Sequence, residues 1–192
     1  MGDWDYALIL DADCWLPKNY LETIVREMQT NHHLVMAGAR YLQTPTRTET
    51  ASSEHVRSAN HVIKREFYDA CVQRGRNYAT LHGEILLERQ AFIWGLKVRS
   101  LPNLTAYCGR ETGVTVADSL THGQHDYQLG TPLFLLLTRM RKPSYRLLRQ
   151  ITGWLIASYR RDQRYLTEAE IRSLTRHYWT RFLGREQECQ KM

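Results

Sequence analysis

A short apolar run that ends in two carboxylates constrains the fold of this chain more than any other feature. Residues 6–10 read Tyr-Ala-Leu-Ile-Leu, Asp11 and Asp13 follow at once, and Pro17 closes the stretch. An unbroken apolar run of this length before a polar turn is typical of a buried strand in a parallel sheet. Ligands bind beyond the carboxyl ends of such strands, so the pattern places both carboxylates where chemistry is usually done.

Asp11 and Asp13 supply oxygen ligands of the kind that a hard divalent cation prefers. Two carboxylates at one strand end can hold one cation and leave coordination positions open for phosphate oxygens. Buried without a cation, the two charges would repel each other and would be costly to desolvate. An isolated Asp-x-Asp is more often a cap for the next helix, so a metal site is favoured only by the surrounding sequence.

The composition is ordinary for a soluble protein with one domain and additional segments. The chain has 192 residues, 43% of them apolar and 24% charged. Four scattered cysteines without a Cys-x-x-Cys pair indicate neither a disulfide framework nor a zinc cluster, and a reducing cytoplasm is expected. The amino terminus lacks the order of a signal peptide, and no apolar stretch is long enough to span a bilayer.

The net charge of +6 is concentrated near the carboxyl end. Residues 139–164 contain eight arginines or lysines against one acid, Asp162, and their charge of +7 accounts for the whole excess. Apolar residues are interleaved with the basic ones, which favours peripheral binding to an anionic membrane surface. A solvated helix face with an apolar core side is an equally good interpretation, and nucleic acid is not indicated because no recognition motif is present.

The residues after the Asp-Ala-Asp turn predict a strand-helix-strand unit. Asn19 as N-cap and Glu22 three residues later form a capping-box-like start. The helix then shows an apolar face at helical spacing, formed by Leu21, Ile24, Val25 and Met28. Residues 34–39 predict the next strand, and residues 43–58, rich in Thr, Ser and Glu, predict a surface loop.

Further elements follow the same rules. A helix-compatible run reaches Gln73 before a turn at Gly75, and residues 85–94 predict a helix with Gly95 as its C-cap. Strand-like residues 97–101 and 103–107 are separated by a proline. Two helices are predicted at the carboxyl end: an amphipathic basic one over residues 143–161, and one that begins at Thr167 with a capping box to Glu170 and ends at Gly184.

The first segment resembles the metal-binding segment of family 2 glycosyltransferases with the GT-A fold. The resemblance combines the apolar strand, Asp-Ala-Asp, Pro17 and a helix that begins with Tyr20-Leu21-Glu22. Later segments are similar to the acceptor half of that family, and the resemblance covers about residues 6–127. The matching positions are the basic pair Lys64-Arg65, Glu84 at the start of a helix, Gly95 to Val98, and Leu101-Pro102.

The resemblance implies an inverting transfer of a sugar from a nucleotide-sugar donor to a glycan or lipid-linked acceptor. It implies Mn²⁺ or Mg²⁺ on Asp11 and Asp13, where the cation neutralises the leaving diphosphate. Glu84 takes the position of the catalytic base that accepts the acceptor proton. The residues expected near the acceptor or the phosphates are Lys64, Arg65, His82, Gly83 and Arg110.

Two positions depart from the family pattern. The family usually has two acids at the base position, whereas this chain has Gly83-Glu84, so the base rests on a single glutamate. The family often offers a histidine as a further metal ligand where this chain reads Tyr-Cys-Gly-Arg. The third ligand therefore stays open between Cys108, His122 and His125.

The expected fold is α/β: a partial GT-A, Rossmann-like, mostly parallel sheet carrying residues 6–10 and 34–39, with flanking helices and a helical carboxyl-terminal extension. Family domains begin with nucleoside-binding units ahead of the Asp-x-Asp, which comes at residue 11 here. An amino-terminally truncated domain is therefore expected, with residues 1–130 as its carboxyl-terminal portion and residues 131–192 as a basic extension.

Two alternatives come from other functional classes. The first is a non-catalytic remnant whose basic helices bind a membrane or a partner protein. Cation-dependent binding of a nucleotide-sugar would distinguish it from an enzyme. The second is a haloacid-dehalogenase-type phosphatase, which also uses an Asp-x-Asp. It is disfavoured because Cys14-Trp15 does not continue the nucleophile loop of that class.

Overall fold

The chain folds into two compact units, Met1–Thr112 and Gly113–Met192. The computed structural model describes residues 3–44, 47–48, 55–56, 60–76, 83–108, 118–138 and 144–189. In these residues the first unit contains a sheet with helices, and the second unit is helical. The boundary predicted at residue 130, between the family-like portion and the basic extension, falls inside the second unit.

The first unit alternates strands and helices. Its strands are β1 (Tyr6–Leu10), β2 (Cys14–Trp15), β3 (Leu34–Thr44), β4 (Arg47–Thr48), β5 (Asn60–Lys64) and β6 (Lys97–Cys108). Its helices are α1 (Tyr20–Thr30), α2 (Arg65–Val72) and α3 (Gly83–Ile93). The six strands form one sheet in the order β1-β5-β3-β6-β2, with β4 paired to β3. The α/β class predicted from the sequence is confirmed.

The prediction of a mostly parallel sheet is wrong. Only β3 and β6 pair in parallel among the described strands, and the other pairs are antiparallel. The reason is that β5 lies between β1 and β3 and is antiparallel to both, so β1 and β3 run in the same direction without touching. β1 is consequently the outermost strand at one end of the described sheet, and its side chains are half-buried or exposed.

The core of the first unit lies between α1 and the sheet. Tyr20, Ile24 and Met28 of α1 are buried against β3, β5 and β6. Leu21, predicted on this face, is 49% exposed because the buried face is rotated toward Tyr20. The capping box is also wrong in detail, since the Asn19 side chain makes no capping hydrogen bond and Glu22 instead accepts one from Arg26 at 2.6 Å.

Two other regions of the first unit differ from the prediction. β6 is a single strand that passes through Pro102, and its register against β3 shifts between Leu101 and Thr105, so the residues between them form an irregularity. The loop predicted for residues 43–58 lies mostly outside the described residues, but Thr44 ends β3 and Arg47–Thr48 forms β4. The C-cap at Gly95 is confirmed by its positive φ of 69°.

The second unit consists of four helices in the described residues: α4 (Ser119–Gln128), α5 (Leu133–Thr138), α6 (Tyr145–Arg160) and α7 (Glu168–Cys189). The predicted basic helix is confirmed as α6. The capping box of α7 is confirmed too, because Glu170 Oε2 accepts from the backbone N–H of Thr167 at 2.8 Å and Thr167 Oγ1 accepts from the backbone N–H of Glu170 at 3.3 Å. α7 continues past Gly184, where an end was predicted, since an exposed glycine costs a helix only about 1 kcal/mol. None of the helices described is long and apolar enough to cross a membrane.

Candidate active site around the Asp11–Asp13 turn

The two aspartates lie in a tight turn that connects β1 to β2. The backbone N–H of Cys14 donates to the carbonyl oxygen of Asp11 at 3.1 Å and closes the turn. Cys14 and Trp15 then pair with Cys108 and Tyr107 at the end of β6. Asp11 and Asp13 are both half-buried. The turn therefore holds two carboxyl groups, partly accessible to solvent, at the carboxyl end of β1.

A buried asparagine supports this end of β1. Asn60 lies opposite Leu10, the residue before Asp11, and is fully buried. Its Oδ1 accepts from the backbone N–H of Ala39 at 3.0 Å, and the Tyr20 hydroxyl donates to its carbonyl oxygen at 2.9 Å. Burial raises the pKa of Tyr20, which keeps this hydroxyl protonated as a donor. These bonds fix the backbone beside the Asp11–Asp13 turn.

The close approach of two strands at Asn60 depends on Gly38. A Cβ at position 38 would lie 2.6 Å from the carbonyl oxygen of Asn60 and 3.3 Å from its Oδ1. Sequence reasoning missed both residues. A polar residue at the start of an apolar strand was the available signal, but it gave no indication that the side chain points into the core.

Glu84 lies in the first turn of α3 and is half-buried, directly after the buried Gly83. One helical turn further on, Glu88 is buried and binds the segment at residues 55–56. Its two carboxylate oxygens lie 2.9 and 3.0 Å from Nδ1 of His55, and Oε1 accepts from the backbone N–H of Val56 at 3.1 Å. The bond to Nδ1 means that this nitrogen carries a proton.

The His55 ring lies within electrostatic reach of both glutamates. Its pKa is raised from the ordinary value, chiefly by the hydrogen bond to Glu88; burial opposes the increase, and the charges of Glu88 and Glu84 add to it. The predicted base is therefore accompanied by an imidazole that is hydrogen-bonded to Glu88, one helical turn further along α3. Sequence reasoning did not find this pair, because its members are 33 positions apart.

Residues 2–94 match the model of a known family, glycosyl transferase family 2. The matched segment, which is just under half of the chain, is similar to that family. No curated protein matches the chain. Over these residues the match confirms the family resemblance, and it supports glycosyltransferase activity in general. The family 2 segment contains the Asp11–Asp13 turn, Glu84 and the pair formed by His55 and Glu88, and it ends at the carboxyl end of α3.

The family 2 segment does not bring its basic pair to the aspartates. Lys64 lies opposite Tyr6, four residues along β1 from Leu10, which corresponds to roughly 13 Å of strand. Lys64 is buried and donates to the carbonyl oxygen of His32 at 3.2 Å, while Arg65 forms ion pairs with Asp3 and Asp69. Both residues border a cavity of about 650 Å³ at this other end of the sheet. Their structural partners explain their presence without a phosphate.

The candidates for a third metal ligand are placed in different units. Cys108 lies beside the Asp11–Asp13 turn, as the strand neighbour of Cys14 in the β2–β6 pair. His122 and His125 lie in α4 of the second unit. Across the described residues, no group of three or more His, Cys, Asp or Glu side chains is arranged to hold a metal ion. Two half-buried carboxylates in one turn fit a cation that takes its other ligands from phosphate oxygens. His82 and Arg110, also predicted near the site, lie outside the described residues.

Replacing Glu88 with glutamine should lower the pKa of His55, because the variant keeps a hydrogen-bonding group but loses the charge that stabilises the imidazolium. In the native protein the folded pKa lies above the unfolded value of about 6.5. The pair therefore adds stability that is fully present below about pH 6.5 and is lost as the pH rises through the folded pKa. The destabilisation caused by Glu88→Gln should shrink over the same pH interval.

NMR titration of the His55 ring and urea unfolding at several pH values measure the two effects. Glu22→Gln, which removes an exposed ion pair on α1, is the matched control and should leave the His55 midpoint unchanged. An equal His55 midpoint in the native protein and Glu88→Gln would contradict the assignment of this pair.

Proposed function

We propose that this protein transfers a sugar, with inversion and with the help of a divalent cation, from a nucleotide-sugar donor to a hydroxyl group of a glycan or lipid-linked acceptor. The observation that carries the proposal is the family 2 match over a segment in which Asp11 and Asp13 share one turn at the end of β1. The family match supports the reaction class, and the two carboxylates in the turn support binding of the donor diphosphate through a cation.

Asp11 and Asp13 would hold Mn²⁺ or Mg²⁺ through carboxylate oxygens. The bound cation neutralises the negative charge that develops on the leaving diphosphate. Asn60, Tyr20 and Gly38 fix the backbone beside the turn, so the two carboxylates are held near the required positions before the donor arrives. The two carboxylates alone would hold such a cation weakly, and phosphate oxygens of the donor would supply further ligands.

Glu84 would accept the proton of the acceptor hydroxyl as that oxygen attacks the sugar. It lies in the first turn of α3, at a helix amino terminus, which carries partial positive charge. In an inverting transfer the new glycosidic bond forms on the face opposite the diphosphate as the old bond breaks, so one base and one cation are sufficient.

Asp13→Ala should abolish the cation-dependent part of nucleoside diphosphate binding. The physical reason is that one remaining carboxylate cannot hold the cation against water, and the diphosphate then loses its positive partner. Calorimetry with a set of nucleoside diphosphates, in the presence of Mn²⁺ and of a chelator, measures the effect on the full-length protein.

Asp69→Ala is the matched control for this measurement. It removes an exposed carboxylate of the same unit that pairs with Arg65 at the other end of the sheet. Binding should depend on the cation in the native protein and in Asp69→Ala. Unchanged cation-dependent binding in Asp13→Ala would overturn the assignment of the turn. Absence of nucleoside diphosphate binding in the native protein would favour the alternative of a non-catalytic remnant.

A further inference from the structure

One side of α6 exposes a row of large apolar side chains. The exposed fractions are 64% for Tyr145, 48% for Leu148, 49% for Leu155 and 91% for Tyr159. Their separations of three, seven and four residues place them on one side of a helix, with the exposed Thr152 between them. We call this row the α6 face. A row of large exposed apolar side chains marks a binding surface more often than scattered exposed residues do.

The opposite side of α6 is already used for packing within the second unit. Leu147, Gly153 and Ala157 are buried, and the backbone of Gly153 lies directly against the carbonyl oxygen of Leu120 in α4. The α6 face is therefore not the side of the helix that packs into the core of the second unit. The helix carries two apolar sides, of which one is covered.

Positive charge borders the α6 face. On one flank of this face Arg160 is exposed and Arg149 is half-buried, with the Arg149 guanidinium 5.8 Å from the ring centre of Tyr145, and Arg161 follows at the exposed C-cap. No acidic residue occurs in the 16 residues of α6. A partner of this face must therefore combine an apolar layer with negative charge at its edge.

We propose that the α6 face binds the surface of an anionic lipid bilayer, with α6 lying parallel to the membrane. Leu148 and Leu155 would enter the acyl boundary, and the arginines would reach the lipid phosphates. The tyrosines at the two ends of the row match the headgroup level, where amphipathic rings are favoured.

Charge and shape argue against two other occupants. A second copy of this chain would bring a second set of arginines against the first, and like charges across an interface are unfavourable. A nucleic acid would satisfy the arginines but would place Leu148 and Leu155 against a polar backbone. An anionic bilayer satisfies both parts of the surface, and the proposal does not depend on the proposed transfer reaction.

Co-sedimentation with vesicles tests the proposal on the full-length protein. The vesicles contain phosphatidylcholine alone or phosphatidylcholine mixed with phosphatidylglycerol, at low and at high salt. The native protein should bind the mixed vesicles preferentially, and the binding should weaken as salt screens the arginines. Leu155→Glu, and the double change Arg149→Glu with Arg160→Glu, should each lower the bound fraction by roughly tenfold or more.

Matched controls separate the α6 face from general changes in charge and polarity. Leu21→Glu changes a leucine of equal exposure, 49%, on α1 of the first unit, and Arg172→Glu reverses an exposed charge on α7. Both controls should bind the mixed vesicles like the native protein. Circular dichroism and urea unfolding verify that each variant is folded.

Three results would overturn the proposal. The first is equal binding to neutral and anionic vesicles. The second is a loss of binding in Leu21→Glu as large as in Leu155→Glu. The third is a concentration-dependent dimer that Leu155→Glu abolishes in a protein that binds no vesicles, which would show that a second copy covers the face.

Discussion

Replacing Glu84 with glutamine should lower the rate of sugar transfer by roughly 10²-fold or more, while cation and diphosphate binding persist. Glutamine keeps the size and the hydrogen-bonding capacity of the side chain but cannot accept the proton of the acceptor. The loss should appear in kcat and in kcat/KM to a similar extent, because the proton moves in the transition state and not on binding.

Glu66→Gln is a close structural control for this experiment. Glu66 occupies the second position of α2, as Glu84 does in α3, so both changes remove one first-turn carboxylate from the same unit. A general effect on helix stability should appear in both variants, and an effect on proton transfer in Glu84→Gln alone. If Glu84→Gln transfers sugar at nearly the native rate, the base is another residue, and His82 is the next to test.

Local patterns in the sequence were sufficient to predict several elements of the fold. The apolar run at Tyr6–Leu10 gave β1 with correct bounds, and the capping box at Thr167 and Glu170 gave the start of α7. These features depend on neighbours within a few residues. The turn that carries Asp11 and Asp13 was located in the same way, because a strand end and its turn are contiguous in the chain.

The features that were missed depend on distant partners. β5 contains His61 and Lys64, two polar residues that are buried, so its pattern did not resemble a core strand. Without β5, the strands β1 and β3 were expected to belong to a mostly parallel sheet. Glu88 likewise resembled an ordinary helix acid, and its burial follows from His55, which no local pattern connects to it.

The largest expected effect on stability comes from the crossing of α4 and α6. A Cβ added at Gly153 would lie 2.0 Å from the carbonyl oxygen of Leu120, and one added at Gly123 would lie 1.9 Å from that of Gln150. Both obstructions are backbone atoms, which cannot rotate away as a side chain could. The two helices would have to separate, and the hydrogen bond of 2.6 Å from Gln150 Nε2 to Asp126 Oδ2 would be stretched or lost.

Gly153→Ala should therefore lower the free energy of unfolding of the second unit by about 3 kcal/mol or more, although alanine is the better helix former by about 1 kcal/mol. Urea unfolding followed by circular dichroism measures this loss. Gly184→Ala in α7 is the matched control, since no atom lies within 4 Å of its added Cβ, and it should stabilise the protein by about 0.5–1 kcal/mol. Opposite signs for the same substitution in two helices would show that the close crossing, and not helix propensity, makes glycine necessary at position 153. A Gly153→Ala variant as stable as Gly184→Ala would mean that α4 and α6 do not approach as closely as described.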